Sequence, residues 1–347
     1  MKIGIVGFPK TGKTTVFNAL TGLHAEVGGY SDPSKPNLGT IKVPDARIDK
    51  LSEIFSPKKT TYAEVVFVDF PGGERGGVLD QTTLAQMRDA DALVQVVRGF
   101  ADPSMPDAPD PVRDIGAFQS ELVLADLAIL EKRVERLRKE KGKEQETELV
   151  ERCKTALEEE TPLRRVTLSA AEERTLSGFG LLSRLPLMVV VNVGEGDAAA
   201  PLSDDARAAL DAAGLTGIAM CAQIEMEIAG LDSADRGGFL SDLGLTEPAR
   251  DRFVHGAFAL LNLISFLTAG PDECRAWPIK RGLSAQRAAG KIHSDIERGF
   301  IRAEVIRIED LLQLKSEAKC REVGKLRLEG KEYVVQDGDV INFRFNV

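Results

Sequence analysis

Residues 2–23 read KIGIVGFPKTGKTTVFNALTGL, and this stretch decides the fold. A short apolar run, residues 3–6, enters a loop bounded by Gly7 and Gly12. Residues 13–23 then carry helical apolar spacing and close in a glycine-containing turn. Residues 7–14 match G-x-x-x-x-G-K-[ST] between a strand and a helix, the context that gives such a match its meaning. The glycines let the backbone curl so that successive N–H groups face phosphate oxygens, and the helix N-terminus beyond adds positive potential. Contacts to ATP or GTP are therefore expected from Gly7, Phe8, Pro9, Lys10, Thr11, Gly12, Lys13, Thr14 and Thr15. Lys13 is the catalytic cation for the β- and γ-phosphates, and the Thr14 hydroxyl is the first expected Mg²⁺ ligand.

Working outward, further strands are expected at residues 64–68, 92–97, 186–191 and 217–221, separated mostly by helical or loop segments. That alternation predicts an α/β, P-loop NTPase fold around a largely parallel sheet. Asp69-Phe-Pro-Gly72 follows the apolar run 65–68. A carboxylate at a strand end beside the loop can hold the Mg²⁺ shell, so Asp69 is the second metal candidate. Gly72 is the candidate whose N–H senses the γ-phosphate. A simple strand-end turn would carry the same four residues. Glu74 is the nearest acidic side chain for water activation, against its reading as an exposed loop glutamate.

Asn192-Val193-Gly194-Glu195 stands where GTP-binding proteins carry N-K-x-D, whose aspartate accepts two hydrogen bonds from guanine. Here the lysine is missing and the carboxylate is one methylene longer, so ATP is expected to be favoured over GTP. Cys221, Ala222 and Gln223, after the last strand, are placed to lend backbone groups to the base.

The chain has 347 residues, more than one core usually fills, and its 43% hydrophobic and 29% charged composition is that of an ordinary globular protein. Its net charge of −9 argues against bulk nucleic-acid binding, which lysine and arginine drive. The four cysteines form no C-x-x-C pair, so neither zinc nor a disulfide framework is indicated. With no signal-like or membrane-length apolar run, a cytoplasmic monomer without membrane contact is expected.

Apolar residues at 123, 127, 130, 134 and 137, with a return stretch at 149, 153 and 157, predict an antiparallel helical hairpin over 119–165 inserted in the NTPase domain. It serves equally as a spacer or as a partner-binding arm. After Pro271 the texture changes to short β-type runs with turn residues, which sets the expected domains at 1–271 and 272–347. Between Arg275 and Arg307 eight Lys or Arg face three Asp or Glu, so this region is net positive while the rest of the chain is strongly negative. Lys280, Arg281, Lys291 and Arg298 are its candidate RNA contacts, against a merely solvated face.

The P-loop, Asp-x-x-Gly and Asn-x-x-Glu in this order resemble the YchF/Obg-like ATPase family over nearly the whole chain. Arg275-Ala-Trp-Pro-Ile-Lys280, residues 289–305 and Gly324-Lys-Leu-Arg-Leu-Glu-Gly-Lys-Glu-Tyr333 are similar to that family's TGS domain, and Pro36-Asn37-Leu38-Gly39 to its switch I exit. The resemblance implies a C-terminal α+β, ubiquitin-like TGS fold, slow Mg²⁺-dependent ATP or GTP hydrolysis as a nucleotide-gated switch, and association with ribosomes. The alternative is a non-hydrolysing, nucleotide-dependent ribosome- or RNA-binding module. The family has asparagine where this chain has Lys10, an asparagine that can help coordinate potassium, so potassium-independent turnover is expected, against a Lys10 that only points to solvent. Ser34 is a weak candidate for the switch I hydroxyl. Some members place a catalytic histidine after the Val-Val-Arg strand, but here the neighbourhood reads Met105-Pro106-Asp107, and the histidines are His24, His255 and His293.

Overall fold

The computed structural model describes residues 1–25, 36–70 and 79–346. In chain order the first strands are β1 (Lys2–Val6), β2 (Asn37–Lys42), β3 (Lys59–Thr61), β4 (Glu64–Asp69), β5 (Ala92–Gly99), β6 (Leu187–Val193) and β7 (Thr216–Met220). All but β3 form one sheet in the order β2-β4-β1-β5-β6-β7. The pairs β1/β4, β1/β5, β5/β6 and β6/β7 are parallel. β5 and β6 read ALVQVVRG and LMVVVNV, mostly apolar, because strands at the centre of such a sheet are covered on both faces. The result is the P-loop GTPase G-domain fold, with β1 at the centre of the sheet and its loop at the C-terminal edge, where ligands of open α/β sheets bind.

The first helices in chain order are α1 (Lys13–Thr21), α2 (Ala46–Phe55), α3 (Gln81–Met87), α4 (Pro111–Leu137) and α5 (Glu144–Glu158). Gly22 closes α1 in the left-handed region, its N–H donating to the Asn18 carbonyl at 2.8 Å. α4 starts earlier than residue 119, where the hairpin was expected. Asp110 caps it by accepting from the Arg113 N–H, with Pro111 in the first turn. One helix thus serves two cores. Ile115, Phe118 and Leu122 pack under the sheet, and Leu130, Val134 and Leu137 pack on Leu149, Cys153 and Leu157 of α5. The root of the hairpin is pinned by the buried carboxylate of Asp126, which accepts the N–H groups of Leu182 at 2.8 Å and Ser183 at 2.7 Å. α5 ends at Glu158, and residues 163–165 form a separate 3₁₀ turn.

The remaining strands, β8 (Leu263–Thr268), β9 (Glu273–Lys280), β10 (Phe300–Arg307), β11 (Arg327–Glu329) and β12 (Asp339–Phe345), join β3 in a second sheet of order β11-β10-β12-β8-β9-β3. An antiparallel β8/β9 hairpin, a β12 strand parallel to β8 and a short helix at residues 285–289 give the α+β, ubiquitin-like arrangement. Its core includes Ile264, Phe266, Ala288, Val305 and Phe343.

The chain separates into two compact units, Met1–Thr40 with Val66–Phe253 and Ile41–Val65 with Val254–Val347. The expected border at 271/272 is therefore displaced. Pro271 lies in the turn of the β8/β9 hairpin, and a hairpin cannot be divided from its own first strand. Residues 41–65 fall in the second unit as well, because β3 pairs with β9 through Lys59–Glu273, Thr60–Cys274 and Thr61–Arg275. The four cysteines are free and buried, and among the described residues no group of three or more His, Cys, Asp or Glu could hold a metal. No described helix is long and apolar enough to cross a membrane.

Candidate functional site

The P-loop leaves β1 between two neighbours that leave no space. Gly7 has φ 141, and a Cβ there would stand 2.3 Å from the Val96 carbonyl oxygen of β5. Gly12 caps α1 at φ 86, and a Cβ there would stand 2.3 Å from Nδ2 of Asn192. The curl is tied internally, with Thr11 Oγ1 donating to the Phe8 carbonyl at 3.1 Å. The Lys13 side chain is 8% exposed and lies back over the loop, its Nζ donating to the same carbonyl at 2.8 Å. Burial pulls its pKa down to about 8, opposed by the nearby Asp69 charge. Pro9, Thr14 and Thr15 are half-buried, while Lys10 is exposed and sits at φ 61.

Lys10 reaches across to the loop after β5, donating from Nζ to Ser104 Oγ at 2.9 Å, and so is neither aimed at the curl nor loose in water. That loop is held by the buried Arg98, which donates to the carbonyls of Asp107 at 2.8 Å and Phe100 at 3.3 Å. Phe8, Lys10, Arg98, Met105, Arg113 and Glu121 help to line a cleft of about 820 Å³ beside it. Among the histidines, His24 follows α1, His255 lies in the helix Ala249–Leu260, and His293 caps residues 294–298 by accepting from the Asp295 N–H.

On the other side of the curl, Thr14 Oγ1 donates to Asp69 Oδ2 at 2.9 Å. Asp69 is the last residue of β4 and is buried, and burial raises its pKa while Thr14, Asn37 and Lys13 lower it. Its Oδ1 is buried with no hydrogen-bond partner among the described residues. A hydroxyl oxygen and an orphaned carboxylate oxygen beside a phosphate-type loop are hard donors of the kind Mg²⁺ takes, so Thr14 and Asp69 fit that ion. Gly72, Glu74 and Ser34 lie outside the described residues.

Asn192, next to last in β6, is a brace rather than a free side chain. Its Nδ2 donates to the Thr11 carbonyl at 3.1 Å, and its Oδ1 accepts the Ala222 N–H at 3.1 Å. One amide thus joins the P-loop to the turn that starts the helix Ala222–Gly230. Cys221 and Ala222 are buried, Val193 is half-buried, and Gln223 and Glu195 are exposed, Glu195 at the head of the 3₁₀ turn Glu195–Asp197. Sequence reasoning missed Phe100. A Cβ on Gly12 would stand 3.9 Å from its ring and one on Gly194 3.8 Å from its Cβ, so two small residues flank this aromatic between the P-loop and the Asn192 turn. The signal that could have found it was an aromatic immediately after an apolar strand.

In the second unit, the four basic side chains singled out above divide. Lys280 donates to the Leu261 carbonyl at 3.1 Å, and Arg298 pairs with Asp295. Arg281 and Lys291 are exposed and make no ion pair among the described residues. The Arg275 guanidinium lies 4.0 Å from the Trp277 ring centroid, a cation–π contact.

Residues 2–132 match the family model of the 50S ribosome-binding GTPase, and residues 263–346 match the YchF-type GTPase C-terminal model, described as a protein of unknown function. The chain is 42% identical over 361 residues to the "Ribosome-binding ATPase YchF" of Bacillus subtilis, covering 99% of both chains. It is 39% identical to the protein of the same name from Escherichia coli O157:H7, covering 100% of this chain and 99% of the other. The solved structure of the Schizosaccharomyces pombe YchF GTPase superposes with a TM-score of 0.89 at 30% identity, covering 99% of this chain and 97% of that one.

Proposed function

Because this chain belongs to the YchF family, an NTPase family with a P-loop GTPase domain, we propose that it is a slow, Mg²⁺-dependent ATPase that acts as a nucleotide-gated switch on ribosomes in the cytoplasm. The observation that carries the reading is the P-loop itself: Lys13 folded over a curl of backbone amides, beside the Thr14–Asp69 pair with an oxygen left unpartnered among the described residues. The chain's own part in the chemistry is charge neutralisation and positioning. Lys13 and the backbone N–H groups of the loop, Pro9 having none to give, hold the phosphates, and Thr14 and Asp69 would hold Mg²⁺, which would supply positive charge beside them. Gly72 reports the γ-phosphate through its N–H. Turnover is slow because none of the three histidines lies on the 100–107 loop to orient water.

ATP is favoured over GTP. Glu195 is exposed on its turn and one methylene too long for the guanine edge, which costs about 1–3 kcal/mol of guanine preference. Titration with fluorescent analogues of both nucleotides will show ATP binding at least as tightly as GTP, and Glu195→Asp will move the preference toward GTP. A large GTP advantage in the parent protein would sink this reading.

Ribosome association runs through the second unit. Exposed and unpaired among the described residues, Arg281 and Lys291 supply charge for phosphate contact even though the chain as a whole is acidic. The double charge reversal Arg281→Glu with Lys291→Glu will reduce cosedimentation with ribosomes and flatten its salt dependence. Unchanged cosedimentation would reassign these charges to solubility.

A further inference from the structure

Asp69 has two oxygens with different fates. Oδ2 receives two donors, Thr14 Oγ1 at 2.9 Å and Asn37 Nδ2 at 3.3 Å, whereas Oδ1 is buried and has none among the described residues. The donors come from the two strands that flank β4 in the sheet: Asn37 opens β2 on one side, and Thr14 follows β1 on the other. Thr14 has a single hydroxyl hydrogen, and giving it to Asp69 turns the hydroxyl lone pairs away from the carboxylate. A single donor would leave the carboxylate free to swing about its Cβ–Cγ bond. The second donor, arriving from the opposite flank, fixes the plane, and with it the direction in which the unpartnered oxygen points.

We infer that Asn37 is a positioning residue for divalent-cation binding: its amide clamps Oδ2 of Asp69 so that Oδ1 is presented to the cation that accompanies the nucleotide. The inference rests on the metal reading proposed above for Thr14 and Asp69. It gives the Pro36-Asn37 step at the entrance of β2 a task that does not require Asn37 to touch nucleotide or metal. The alternative is that Asn37, half-buried, only fills space at the start of its strand.

The test uses the full chain and a fluorescent ADP analogue, titrated first in EDTA and then with Mg²⁺ at fixed nucleotide. Asn37→Ala removes the donor, and Asn37→Leu removes it while keeping nearly the same shape. Both variants should bind the analogue in EDTA within about twofold of the parent, and both should need about 3- to 10-fold more Mg²⁺ to reach half effect, the scale of one ordinary hydrogen bond. A space-filling role predicts instead that Asn37→Leu behaves as the parent, or that affinity falls equally with and without Mg²⁺; either result overturns the inference. If Mg²⁺ leaves the parent's affinity unchanged, the metal reading falls and this inference falls with it. If the parent responds and both variants share its midpoint, the inference alone falls.

Discussion

Gly7→Ala will unfold the first unit at markedly lower urea than the parent, with a loss of about 2–6 kcal/mol. Two costs add. At φ 141 the backbone lies where a residue with a Cβ is strained, by about 1–3 kcal/mol. The new methyl would also stand 2.3 Å from the Val96 carbonyl oxygen. That oxygen cannot give way cheaply, because Val96 is buried in β5, which is hydrogen-bonded to β1 on one side and β6 on the other. Gly22→Ala separates the two contributions. Its φ of 70 carries strain, but nothing lies within 4 Å of the added carbon. It should cost only about 1–2 kcal/mol. Equal losses for the two substitutions would show that the close approach to β5 contributes nothing.

Lys13→Met should lower ATP-analogue affinity by about 100-fold or more, since it removes a buried cation from a site whose ligand carries several negative charges. The same substitution should not destabilise the nucleotide-free protein. Burial of the ammonium holds its pKa at about 8, below the ordinary 10.5. Below pH 8 folded and unfolded chains both carry the proton, and the full cost of burying the charge is present. Between pH 8 and 10.5 the unfolded chain still binds a proton that the folded chain has released, so this residue makes stability rise with pH across that window. The gain is about 3.5 kcal/mol at most, because each tenfold change in proton affinity is worth about 1.4 kcal/mol. Urea unfolding without nucleotide at pH 7.5 and 9.5 checks the sign: the parent minus Lys13→Met difference should become more favourable to the parent at the higher pH. No change over this range would mean that the ammonium is paired rather than merely buried, its folded pKa then lying at or above the ordinary 10.5. ATP binding above pH 8 should correspondingly take up a proton.

How much of this was open to sequence reading follows from how local each feature is. The P-loop is a contiguous run in which strand, curl, lysine and helix start are set by neighbouring residues, so Gly7, Gly12, Lys13 and Thr14 were legible without any tertiary knowledge. The place of Asp69 at the end of β4 was legible because an apolar strand that ends in a carboxylate is also a local pattern. The hairpin was legible from its apolar repeat, but its start was not. Residues 111–118 carry the same helical spacing for a different purpose, packing Ile115 and Phe118 under the sheet instead of against α5.

The arrangement around those local features was decided by tertiary structure alone. Asn37 meets Asp69 only because β2 and β1 flank β4, and Asn192 reaches Thr11 across 181 positions because β6 lies one strand beyond β5. Phe100 gains its place between Gly12 and Gly194 by the same strand order. The domain border was misplaced for the same reason. β3 belongs with β9, more than 200 positions away, through backbone hydrogen bonds that leave no mark on side-chain spacing. A chain's own sequence therefore announces the groups whose chemistry depends on their neighbours along the backbone. Which of those groups end up sharing a proton, a carbonyl or a cation depends on sheet order and register, which long-range pairing fixes only when the whole domain has folded.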